Sequence, residues 1–208
     1  MLIFDMDGTL IDSNGIWRKV DETFLARRGM PYTQEYYEGV AHTIFPLAAV
    51  FTKEYCKLEE STDEIMAEWM ELAGNMYAEA VPVKPGVVEY LEANRQRGER
   101  MMVLTSSVPE HCRTALTHLG LMGYFERILF AHELKIEKKD PAIFLKAAEL
   151  MGVKLEECTM FDDSVAACRG AKAAGMKAIG VYDPFFAQTE AEMRQVCDRY
   201  IMSFEELL

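Results

Sequence analysis

Asp5 and Asp7 stand one residue apart in Leu2-Ile3-Phe4-Asp5-Met6-Asp7-Gly8-Thr9-Leu10, directly after an apolar run. Two carboxylates so close, followed by a glycine suited to an unusual backbone angle, make a poor strand end unless something positive binds there. One carboxylate can attack phosphorus while the second manages a proton, and Mg²⁺ can neutralise both. Taken alone, the stretch also reads as a turn with solvated acids. Three further polar stations follow apolar runs. Thr105 closes Met101–Leu104 and precedes Ser106 and Ser107, so its hydroxyl lies beside a helix start that can hold a phosphoryl oxygen. Lys138 and Lys139 precede Asp140-Pro141, where an ammonium can balance phosphate and nucleophile together, although lysines more often serve as surface solubilisers. Asp162 and Asp163 follow Thr159–Phe161, and paired acids at a strand end can ligate Mg²⁺ directly or through water.

These stations need elements to carry them. Val87 to Arg97 predicts a helix stopped by Gly98, and Met101–Leu104 a strand. Ser107 and Glu110 read as a capping box, with Pro109 in the first turn of a helix that ends before Gly120. Ile128–Phe130 is another strand. Asp140-Pro141 opens a helix with Ile143, Phe144, Ala147, Ala148 and Met151 on one face. Thr159–Phe161, a helix to Ala174 and the strand Lys177–Val181 follow, with Leu2–Phe4 and Tyr200–Met202 as outlying strands. Strands alternating with helices predict parallel pairing through right-handed crossovers, hence an α/β fold with a Rossmann-like parallel sheet and helices on both faces.

One region breaks the alternation. Ile16, Val20, Phe24 and Leu25 mark an amphipathic helix ending at Gly29, Pro46–Lys57 a second, and Ser61 with Glu64 caps a third through Trp69 and Tyr77. The expected organisation is a core of residues 1–13 and 81–208 with a small all-helical cap, 14–80, inserted after the first strand. A packing subdomain is the plain alternative to a lid. The insertion point favours the lid, because the first strand's loop lies at the carboxyl end of the sheet, where α/β ligands bind. Trp69, Met70, Met76 and Tyr77 read as either lid packing or a subunit contact, leaving monomer and homodimer open.

The 208 residues carry 34 acidic and 22 basic side chains, a net charge of −12 that argues against nucleic acid as partner. No apolar run approaches the roughly 20 residues that span a bilayer, and no signal peptide is visible, so no membrane association is expected. Five scattered cysteines without a CxxC suit reduced thiols in a cytoplasmic protein and read as small packing residues. What reverses the bland reading of each station is their conjunction. Acids, hydroxyl, lysine and further acids each follow a separate strand of one parallel sheet, so they converge on one crevice, as phosphoryl transfer requires.

At this point the chain resembles the haloacid dehalogenase-like (HAD) hydrolases, in the branch of phosphoglycolate phosphatases and β-phosphoglucomutases with a helical cap. DMDGTLIDS is similar to the first family motif, LTSS to the second, KKDPAIF to the third and FDDSVAACRGAKAAGM to the fourth. Lys139 stands where the family often has Pro, leaving Lys138 as the aligned lysine. The resemblance implies Mg²⁺ as cofactor, Asp5 as nucleophile and metal ligand, and Asp7 as general acid/base with its carbonyl facing the metal. It implies Thr105 with Ser106 as the phosphate site, Lys138 as charge balance, Asp163 as the main distal metal ligand, and Asp162 as a direct or water-mediated one. Thr9 is expected to support the loop.

Dehalogenases and phosphonatase-like members lack the second Asp, so Asp7 favours phosphate esters, whose leaving alkoxide needs a proton. The mutase typically carries a His in the first cap helix, where Trp17 stands here. It also carries an Arg after a Gly-Val pair, where Ala41-His42 follow Gly39-Val40. Trp17 and His42 remain substrate-binding candidates, with packing and surface as their plain readings. The function expected is a phosphatase that hydrolyses a small phosphorylated metabolite through an aspartyl-phosphate. The alternatives are a β-phosphoglucomutase-like mutase and a non-catalytic binding member, the last opposed by the intact set Asp5, Asp7, Thr105, Lys138 and Asp163.

Overall fold

The computed structural model describes residues 1–40 and 45–208. The chain divides into two compact units, Met1–Asn14 with Val81–Leu208, and Gly15–Ala80.

In the first unit, β1 (Leu2–Phe4) enters the sheet at once, and the chain returns to it only after the second unit. That second unit holds α1 (Ile16–Arg27), α2 (Gln34–Val40), α3 (Phe45–Cys56) and α4 (Thr62–Glu79). The first unit then continues with α5 (Val87–Gln96), β2 (Met101–Thr105), α6 (Pro109–His118), β3 (Arg127–Phe130), α7 (Ala131–Leu134) and α8 (Pro141–Met151). It ends with β4 (Thr159–Asp162), α9 (Val165–Ala173), β5 (Lys177–Val181), α10 (Glu190–Val196) and β6 (Arg199–Ile201). The strands form one sheet in the order β3-β2-β1-β4-β5-β6, parallel throughout. β2 lies on one side of β1 and β4 on the other, so strand order reverses there and opens a crevice at the carboxyl ends.

Parallel strands covered on both faces must be apolar throughout, and all five residues of β2 are buried. The pleat sends Ile3 and Phe4 to opposite faces. Ile3 joins Met102, Leu104, Met160, Ile143, Phe144 and Ala147 in one layer. On the other face Phe4 stacks on Phe161 at 4.7 Å between ring centres, and Phe161 on Phe204 at 5.7 Å. Each fully buried ring contributes about 1.5–3 kcal/mol, which fixes the register of the central strands.

The predicted capping box at Ser107 and Glu110 is not formed. The helix starts at Pro109 with Val108 as its N-cap, so Glu110 sits one position too early to reach back. Proline, with no amide hydrogen and a fixed φ, sets that start. The Ser107 amide instead donates to Thr105 Oγ1 at 3.0 Å.

Within the second unit, Ser61 and Glu64 do close a capping box on α4. Phe24 and Phe45 each meet Trp69 edge-on, at 5.7 and 5.4 Å. Trp69 and Tyr77 are buried, while Met70 and Met76 are half-buried. Of the cysteines, Cys112, Cys158 and Cys168 are packed away, whereas Cys56 and Cys197 are only partly covered.

Tyr36, fully buried, donates to Asp21 Oδ1 at 3.2 Å and shares a hydrogen bond with Thr52 Oγ1 at 2.9 Å. Burial, partly offset by the Tyr36 hydroxyl, pushes the Asp21 carboxyl up to about 6. A folded value above the ordinary 3.8 favours the protonated form, so stability is lost as pH rises from 4 through 6. The loss is at most about 3 kcal/mol. Asp21→Asn should therefore raise the thermal midpoint near pH 7.5 and give no gain near pH 4. An equal gain at both values would contradict this assignment.

Candidate active site

Three carboxylates meet at the crevice beside β1 and β4. Asp5 leaves β1, Asp162 ends β4 and Asp163 follows it, and their oxygens lie within 4.8 Å of one another. All three are buried. Lys138, between α7 and α8, donates to Asp5 Oδ1 at 2.5 Å and to Asp162 Oδ2 at 2.8 Å. The remaining oxygen of Asp162 accepts from the Ser164 amide at 2.9 Å. Among the described residues, the side-chain donors to Asp163 are neutral: the Asn14 amide at 2.6 Å and the Thr9 hydroxyl at 3.4 Å.

Two glycines make this convergence possible. Gly8 has φ +74°, and a Cβ there would lie 2.1 Å from both Asn14 Nδ2 and Asp163 Oδ2. Gly170 on α9 lets the Lys138 segment descend onto the helix, where a Cβ would stand 2.3 Å from the Lys138 carbonyl oxygen.

The electrostatics are unbalanced. Burial pushes the Asp5 carboxyl well above its usual range; Lys138 pulls it down, and Asp162, Asp163 and Asp7 push it further up. Burial, with the Asp162 charge beside it, lifts Asp163 to about 7, partly offset by Asn14. Burial works against the Lys138 charge too, yet Asp162 and Asp5 together hold it above the ordinary lysine range. One ammonium faces three buried carboxylates among the described residues, so ionising all three calls for further positive charge, and an all-oxygen donor set suits a hard divalent cation such as Mg²⁺. The residues therefore fit the cofactor on charge and ligand chemistry.

Thr105 is buried at the end of β2, and Ser106 beside it is exposed. Because Thr105 Oγ1 accepts from the Ser107 amide, its hydroxyl hydrogen is left to donate outward. Asp7 stands outside the three-carboxylate group and is half-buried, its Oδ1 accepting from the Ser13 hydroxyl at 2.6 Å. Trp17 lies on α1 in the second unit, 40% exposed, with its ring edge-on to Phe45 at 5.4 Å. His42 lies outside the described residues. Sequence reasoning passed over Ser13, Asn14, Lys84 and Asp183. Ser13 closes the first motif and Asn14 follows it, but nothing in their type distinguishes them from loop residues.

The sequence model of the haloacid dehalogenase-like hydrolases matches residues 1–175. The chain belongs to that family. It is 28% identical over 182 residues to the phosphorylated carbohydrates phosphatase of Thermotoga maritima, covering 86% of this chain and 82% of the relative. It is 30% identical over 180 residues to a fructose-1-phosphate phosphatase of Escherichia coli, covering 86% and 95%. Among solved structures, a Thermotoga maritima protein provisionally assigned as a β-phosphoglucomutase superposes with a TM-score of 0.88 at 25% identity, over 100% of this chain and 95% of that one. No described helix of the HAD protein is long and apolar enough to cross a membrane.

A cation that binds only the folded state stabilises it by mass action, about 2.7 kcal/mol at a hundredfold excess over its dissociation constant. Adding Mg²⁺ should raise the thermal midpoint of the wild type, and Asp163→Asn should remove most of that rise. A wild type whose midpoint ignores Mg²⁺ would mean that the carboxylate group does not hold the ion.

Proposed function

We propose that this HAD protein is a Mg²⁺-dependent phosphatase that hydrolyses a small phosphorylated metabolite through an aspartyl-phosphate on Asp5. One observation carries the proposal: Asp5, buried at the end of β1, shares Lys138 with Asp162 and lies within carboxylate reach of Asp163. A carboxylate so placed is aimed and charge-compensated but still short of positive charge, which a cation and an incoming phosphorus centre supply.

In the first half-reaction an Asp5 oxygen bonds to phosphorus as the ester P–O bond breaks, and Asp7 gives a proton to the departing alkoxide. In the second, Asp7 takes a proton from water as the water oxygen bonds to phosphorus, releasing phosphate and restoring Asp5. Ser13 donates to one Asp7 oxygen and so fixes the carboxyl's orientation. Thr105 donates its hydroxyl to a phosphoryl oxygen, while Lys138 stays charged and keeps Asp5 oriented. When bound, Mg²⁺ supplies positive charge against the phosphoryl oxygens and lowers the repulsion between them and Asp5.

Relatives that act on phosphorylated carbohydrates and fructose 1-phosphate make sugar phosphates the first substrates to try. The likeness to a protein assigned as a β-phosphoglucomutase keeps the mutase as a second reading, opposed by Trp17 and Ala41-His42 at positions where the mutase has His and Arg. Product analysis separates them: free phosphate for the phosphatase, an isomeric sugar phosphate for the mutase.

The test is a panel of phosphorylated metabolites with Mg²⁺, scored for phosphate release by wild type and Asp5→Asn. The wild type should turn over at least one member, and the variant should fold normally with kcat down by roughly three orders of magnitude or more. Near-normal turnover by Asp5→Asn would refute a covalent role for Asp5.

A further inference from the structure

Lys84 is a buried ammonium with no part in the reaction just described. Its three N–H bonds reach the Gly8 carbonyl, the Tyr182 carbonyl at 2.7 Å and Asp183 Oδ2 at 2.8 Å. Its side chain is 9% exposed and that of Asp183 1%. The other Asp183 oxygen accepts from the Phe185 amide at 2.9 Å, so the carboxylate is itself held by backbone. A buried ion pair is an expensive way to fill space, since apolar residues of similar volume are often as stable or more so. Its placement therefore asks for another reason, and the third acceptor supplies one.

Gly8 follows Asp7 directly. Its amide donates to the Ile11 carbonyl at 2.9 Å, and its positive φ turns its own carbonyl away from the strand ladder. Lys84 captures that carbonyl. The same segment holds the loop from a second side, because the Lys84 amide donates to the Leu10 carbonyl at 3.0 Å and the Asp12 amide to the Pro82 carbonyl at 3.0 Å. Both peptide planes of Gly8 are thereby fixed, and Asp7 and Thr9 hang from them. Since Asp183 neutralises Lys84, the loop gains a donor without a second net positive charge competing with Lys138.

We propose that the Lys84–Asp183 pair is a positioning device that holds the Gly8 carbonyl and, through it, the turn that aims Asp7 and Thr9 at the three-carboxylate site. The kinetic arm of its test rests on the phosphatase reading; a second arm does not. Lys84→Met alone would strand a buried carboxylate, so the informative variant is Lys84→Met/Asp183→Asn, which removes both charges and keeps an acceptor for Phe185.

With Mg²⁺ and p-nitrophenyl phosphate, this double variant should fold cooperatively and lose roughly ten- to a hundredfold in kcat with KM within about twofold. Its Gly8 and Leu10 amides should exchange with deuterium at least roughly tenfold faster than in the wild type. Lys84→Gln/Asp183→Asn, which keeps an N–H donor on a side chain one bond shorter, should recover part of both losses. Met151→Ala, a truncation in the core on α8, should lower stability and leave kcat unchanged. Wild-type kcat and wild-type amide exchange in Lys84→Met/Asp183→Asn would overturn the proposal. An inactive wild type would instead overturn the phosphatase reading, and amide exchange would still decide whether the pair holds the loop.

Discussion

Asp5, Asp162 and Asp163 are forced together in a region shielded from water, with a single ammonium to compensate them. Like charges at this spacing repel by several kcal/mol even at the effective dielectric of a protein surface. A fold would discard such an arrangement unless a cation or a phosphoryl group repaid it. The cost is visible in Asp163, lifted to about 7 by burial and by its neighbour Asp162. Strain of this kind concentrates where chemistry is done, because the missing positive charge is what a metal and a transition state bring.

The rest of the first unit holds that imbalance in place. The parallel sheet delivers the carboxylates to one edge from β1 and β4, whose register is locked by the stacked rings of Phe4 and Phe161. Glycine at position 170 lets the Lys138 segment lie against α9, and glycine at position 8 leaves room for the Asp163 carboxylate and its Asn14 donor. Neutral donors from Thr9, Asn14 and Ser164 satisfy the acids without cancelling their charge. The unit supplies rigidity and hydrogen bonds, and withholds charge.

Much of this was readable before any coordinates. Short apolar runs ending in Asp5, Thr105 and Asp162 mark strand ends, because a polar residue terminates an otherwise buried parallel strand in only a few useful ways. Asp140-Pro141 and Ser61 with Glu64 announced their helices through capping chemistry that depends on neighbouring residues alone. The misreading at Ser107 came from the same rule: Pro109 fixed the helix start one residue later than a capping box needs. α2 went unseen because its seven residues bury only Tyr36, too little for a helical period to emerge. Asn14, Lys84 and Asp183 were illegible for a different reason. Their partners lie 149, 76 and 99 positions away, at Asp163, Gly8 and Lys84 respectively, and no local pattern encodes a contact at that separation.

The central claim is that the uncompensated charge on three carboxylates is the seat of a divalent cation. Crystals grown with Mn²⁺, a Mg²⁺ substitute with a strong anomalous signal, test it directly. The account predicts one anomalous peak within about 2.0–2.4 Å of oxygens from Asp5 and Asp163, with Asp162 as a direct or water-bridged neighbour. A peak elsewhere, or well-ordered carboxylates with no peak between them at saturating Mn²⁺, would contradict it.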